Sequence, residues 1–188
     1  FWSPPSHQRL SVLHTRHFTQ WIGSSEANKY RRNLQWYPLL IQHYSLGLAA
    51  VSSSSFDILR GFLESPYPDP RSRQLRTPSL LAVDSALSDA RQLFRLLPGR
   101  EKNFTPLSEH LFEFLKSDLD DVLFFGTDYE YVFDRFEILL SLQYSHLNER
   151  LCEGGFWAPV GRFAWKFRRR GGPDPFSDVY REASDAKG

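Results

Sequence analysis

Residues 127–147, TDYEYVFDRFEILLSLQYSHL, decide how the rest of the chain is read. Thr127 followed three residues later by Glu130 forms a capping box, each side chain able to satisfy a backbone N–H at the helix entrance. Asp128 adds negative charge at the positive end of the helix dipole. Tyr129, Val132, Phe133, Phe136, Leu139, Leu140, Gln143, Tyr144 and Leu147 recur at the spacing of one helical face, and all but Gln143 are apolar or aromatic. Glu130, Asp134, Glu137, Ser141 and Ser145 line another face, which reads as a solvated acidic row and not as a catalytic carboxylate set. Ile138 and Leu142 widen the apolar side, so the helix needs at least two neighbours. Alone, it would bury too little surface to offset the ordering of its backbone.

Working outward, the spacing predicts a helix over 7–22 and another from Ala27 to about Gln35, with a kink or fresh start at Pro38. The run from Leu39 to Ala50 is apolar almost all round and therefore central, and Gly47, Ala49 and Ala50 would admit a close neighbour. Ser52–Ser55 make a turn into a partner helix over Phe56–Leu63. This pair resembles a tetratricopeptide-like hairpin, although no second copy recurs at the repeat period. Pro66–Thr77 reads as an exposed basic loop carrying Arg71, Arg73 and Arg76. Helices are predicted over Leu80–Leu97, from Thr105-Pro106 through Leu115, and over Asp118–Phe125, with Gly126 as a stop. Beyond Glu153-Gly154-Gly155 the segment FWAPVGRFAWKFRRRGG is aromatic and basic with partial alternation, and Pro173–Ala186 predicts one last short helix. The expectation is an all-α protein of one domain. Residues 1–153 would form an irregular bundle of about six to eight helices, with residues 154–188 packed on it as an extended segment and a terminal helix.

At 188 residues, 41% hydrophobic and 24% charged, the composition fits a globular domain with a sound core. One cysteine, Cys152, excludes an internal disulfide and suits a reducing, cytoplasmic setting. No apolar run approaches a membrane span. The absence of any methionine and of a signal-peptide pattern suggests a segment of a longer protein. The net charge of +1 conceals blocks of +6 over residues 1–100, −8 over 101–153 and +3 over 154–188. Such blocks imply that the acidic helices dock on basic surface, or that the basic parts bind a polyanion.

The tail carries the strongest functional signal. In an extended segment Phe163, Trp165 and Phe167 would share one side while Arg162, Lys166 and Arg168 share the other, with Arg169 and Arg170 adding charge. Arginines interleaved with aromatics suit a surface that tracks phosphates and stacks bases. The plainer alternative has the aromatics covering an apolar edge while the arginines meet the acidic block. Arg9 and His14 match the R-x4-6-H pattern of HEPN ribonucleases, a match that chance alone yields about 1.7 times in a chain of this composition. His14 and His17 lack further ligands at metal spacing, so no metal or cofactor is expected. No phosphate loop or nucleophile elbow occurs.

The stretches YEYVFDRFEILLSLQYSHLNE with WAPVGRFAWK, and YPLLIQHYSLGLAAVSSSSFDILRGFL upstream, resemble the helical region C-terminal to effector or nucleotide-binding domains, such as SIR2-like or TIR domains, in large bacterial anti-phage defence proteins. The likeness spans residues 37–167 and carries no active site. It implies a non-enzymatic sensing, docking or oligomerisation module whose partner is a protein, another domain of the same polypeptide or a second copy. The candidate working residues are Arg162, Trp165, Lys166, Arg168, Arg169 and Arg170 in the tail and Arg71, Arg73 and Arg76 in the loop. Nucleic-acid binding through Arg162–Arg170 is the second reading and a HEPN-like ribonuclease the third.

Overall fold

A computed structural model describes residues 29–67, 77–123, 129–152, 158–166 and 175–185. The helix expected over 7–22, with Arg9, His14 and His17, the loop arginines Arg71, Arg73 and Arg76, the Thr127 cap and Arg168–Arg170 lie outside them. The described residues are mostly helical, with no sheet beyond one pair of two-residue strands. In chain order they form α1 (Lys29–Leu34), α2 (Tyr37–Ser52), α3 (Phe56–Leu63), α4 (Ser79–Leu87), a 3-10 helix η1 (Ala90–Leu96), α5 (Pro106–Leu123), α6 (Tyr129–Cys152), α7 (Phe163–Lys166) and α8 (Pro175–Asp185).

Pro38 resolves as a fresh start, because it occupies the first turn of α2, where its missing N–H costs nothing. α2 and α3 follow one another through Ser53–Ser55 and pack together. The segment leaving α3 and the one entering α4 pair antiparallel, Pro66 opposite Pro78 and Tyr67 opposite Thr77. Two helix predictions are corrected. The helix expected over Leu80–Leu97 breaks at Ser88-Asp89 and continues as the tighter η1, the Ser88 N–H already bonding the Ser85 carbonyl three residues back. The two helices expected between 105 and 125 are one, Pro106–Leu123.

The main core gathers Tyr44, Leu48, Val51, Phe62, Leu63, Leu111 and Leu115 around Tyr129, Val132, Phe133, Phe136, Leu140, Tyr144 and Leu147 of α6. A second cluster sets Trp36 and Leu39 against Ala82, Val83, Ala86, Leu87 and Ala90. His43 is buried between them and neutral: desolvation lowers its pKa to about 4, while its Nδ1 donates to the Leu39 carbonyl at 2.8 Å. α6 is thus the spine, as its apolar face requires. Leu142 is the exception on that side, half exposed.

α2 and α6 approach through Gly47. The Phe136 ring, wholly buried and edge-on to Tyr44 with centroids 5.1 Å apart, occupies the space that a Cβ at position 47 would take. Helix propensity favours alanine at a mid-helix glycine by about 1 kcal/mol, yet overpacking a closed core costs about 1–3 kcal/mol. The ring is wholly buried, so the second effect wins. Gly47→Ala should lower the urea-unfolding free energy by about 2 kcal/mol, and adding Phe136→Leu should restore part of it. A Gly47→Ala chain as stable as wild type would refute the contact.

Candidate functional site

The acidic row of α6 is where the structure departs most from expectation. Asp134 and Glu137 are 1% and 2% exposed, and Ser145 is buried too, so this face is not solvated. It is covered by the chain from Pro159 to Arg162, which runs along it in the opposite direction. Ser141 Oγ donates to the Pro159 carbonyl at 2.5 Å. The Arg162 backbone N–H donates to Glu137 Oε2 at 3.0 Å and to Ser108 Oγ of α5 at 2.9 Å. The Arg162 guanidinium meets Glu130 at 2.7 Å and Asp134 at 3.6 Å, and lies over the Phe112 ring, 3.5 Å from its centroid.

Gly161 makes this approach possible, since a Cβ there would collide with the Glu137 carboxylate. Glu137 Oε1 accepts hydrogen bonds from Ser108 Oγ at 2.6 Å and Tyr44 OH at 3.0 Å. Both carboxyl oxygens are therefore satisfied inside the protein. Burial nevertheless pushes the Glu137 pKa up to about 7, with Asp134 adding to the rise, while the donors from Ser108, Tyr44 and Arg162 hold it down. Desolvation and the neighbouring carboxylate likewise keep Tyr44 neutral, its pKa well above the ordinary tyrosine value.

The residues predicted as a working surface divide accordingly. Arg162 points inward and is 8% exposed, which corrects its placement on an outward basic face. Residues 163–166 form a helical turn, α7, and not the extended strand that alternation suggested. Phe163 is buried against Ile138 of α6 and Val179 of α8. Trp165 stays partly exposed and its Nε1 donates to Thr105 Oγ1 at 3.3 Å. Lys166 ends α7. The meeting of arginine with the acidic block is borne out at Arg162, and Arg100 similarly pairs with Glu113.

Beside this seam lies a cavity of about 220 Å³. Arg91, Gln92 and Arg95 of η1, Phe104 to Ser108 at the start of α5, Leu140 of α6 and Pro159 to Gly161 form its walls, with Tyr44 and Glu137 also lining it. Phe104 and Val160, in those walls, are 73% and 52% exposed. Sequence reasoning missed this site because its walls come from five separate stretches, no two of which form a motif. Among the described residues no group of three or more His, Cys, Asp or Glu side chains is placed to hold a metal ion, and no helix is long and apolar enough to cross a membrane. Comparison with family models, curated proteins and solved structures found no match.

Glu137 makes stability depend on pH in a defined direction. Its folded pKa of about 7 lies above the ordinary 4.5, so its contribution is fully present below pH 4.5 and is lost as pH rises through about 7. His43 acts oppositely, its contribution being present above 6.5 and lost as pH falls towards about 4. Comparing wild type with Glu137→Gln cancels the histidine. Wild type should lose about 3 kcal/mol relative to the variant between pH 4.5 and 7, read by urea unfolding at several pH values. A gap that does not move with pH would contradict the raised pKa.

Proposed function

We propose that this chain is an interaction and sensing module of a larger, cytoplasmic bacterial protein, non-enzymatic in itself, working through the seam between the 158–166 segment and the start of α5. The observation that carries this reading is the gathering of exposed apolar side chains there. Phe104 and Val160 border the cavity, and the partly exposed Trp165 is tied to Thr105 in the same wall. Apolar side chains clustered on a surface mark contact sites, and aromatics are enriched in them. The side chains with chemical potential in the seam, Glu137, Ser108 and Tyr44, bond one another and hold the segment in place. Arg162 lies in ion pairs, which weighs against the nucleic-acid reading that begins from it. The resemblance of residues 37–167 to helical regions of defence proteins supports the same conclusion.

Sedimentation equilibrium over a wide concentration range, alone and mixed with the other domains of its polypeptide, tests this. Association is expected in one of the two settings. The double variant Phe104→Ser with Trp165→Ser should weaken it by roughly tenfold or more, as loss of exposed aromatic anchors does, with the circular dichroism spectrum unchanged. A chain that stays monomeric in both settings, or an association indifferent to the double substitution, would dispose of this reading.

A further inference from the structure

The cavity has a chemical polarity that the surrounding fold leaves unused. Its cationic side is η1, which presents Arg91, Gln92 and Arg95 to one space. Arg91 Nη2 bonds Asp84 of α4, but its Nε is buried with no hydrogen-bond partner among the described residues. Arg95 is exposed, and no acidic partner faces it among the described residues. The acid that lines the same space, Glu137, has both oxygens engaged by Ser108, Tyr44 and the Arg162 N–H, so it forms no ion pair with either arginine. Leu140, Pro159 and Val160 give the same space apolar lining. At about 220 Å³ the space exceeds the roughly 150 Å³ that accommodates benzene.

We propose that this cavity binds a small organic anion, its carboxylate or phosphate held by Arg91 and Arg95 and its ring laid against Leu140, Pro159 and Val160. Guanidinium groups suit either anion, offering paired N–H donors in a plane. The inference rests on the reading of this seam as a sensing surface and names the class of molecule sensed.

Isothermal titration of the full chain with phenyl phosphate, benzoate and the uncharged benzyl alcohol tests it. At least one anion should bind saturably with one site per chain, and benzyl alcohol roughly tenfold more weakly or not at all. Preference for phenyl phosphate identifies a phosphate ligand, preference for benzoate a carboxylate, and equal affinity a site that reads charge alone. Arg95→Glu, a surface change, should weaken anion binding by roughly tenfold or more without altering the melting temperature. Arg91→Gln should do the same, and because it strips Asp84 of its partner, Arg95→Glu decides the matter if that variant unfolds early. Absence of binding by both anions, equal binding of benzyl alcohol, or full affinity in Arg95→Glu would overturn the proposal. Sedimentation separates the two readings: Arg95→Glu that still associates while anion binding is lost leaves the module intact and locates the anion site, whereas a wild-type chain that binds the anion but never associates removes the module reading alone.

Discussion

The polar row of α6 is the constraint on which the rest of the structure depends. Glu130, Asp134, Glu137 and Ser141 fall on one face, and each meets the chain between Pro159 and Arg162. Burying a carboxylate without donors is among the costliest things a fold can do. For Glu137 the cost is offset by the Arg162 backbone N–H together with Ser108 and Tyr44, while the Arg162 guanidinium bonds the partly exposed Glu130 and stands 3.6 Å from Asp134, and the Pro159 carbonyl accepts from Ser141. The segment in turn has little apolar anchorage of its own, chiefly Ala158 on the main core and Phe163 beside Ile138. Helix and segment therefore need each other, and the register between them is set by hydrogen bonds and not by shape alone.

Two glycines let α6 be enclosed on two of its sides. Phe136 takes the space above Gly47 and the next residue, Glu137, takes the space above Gly161. Consecutive side chains on a helix point about 100° apart, so one glycine admits the apolar approach of α2 and the other the polar approach of the C-terminal segment. Neither φ is in the left-handed region; what both positions require is the missing Cβ. Tyr44 joins the two sides, its ring edge-on to Phe136 and its hydroxyl on Glu137.

Much of this was legible in the sequence, and the parts that were not share one physical cause. The apolar stripe from Tyr129 to Leu147, the small residues of α2 and the proline at its first turn are local signals, each fixed by neighbours within a few positions. The row Glu130–Asp134–Glu137 has the same local signature whether water or another segment covers it, and its partner Arg162 lies 25 residues beyond Glu137 with nothing nearby to announce it. Alternation over 162–168 resembles a strand because a single helical turn is too short to show its own period. The join within α5 fails for a similar reason: the expected gap falls at Lys116-Ser117, two exposed residues, while Leu111, Leu115 and Leu119 on either side of it pack on one core.

The cavity follows from the same arrangement. Pro159, Val160 and Gly161 are at once the portion held on α6 and one wall of the space beside η1, while Glu137 is at once the acceptor for Arg162 and part of the lining. A molecule seated against that wall touches a segment fixed mainly by polar bonds, in which a buried carboxyl titrates near neutrality. Apolar packing holds a neighbour through many small contacts spread over an area, whereas this segment is held through a few bonds, one of which ends on that carboxyl. The part of the fold that borders the cavity is thus held by a few directional bonds, several of them made by residues that also line it.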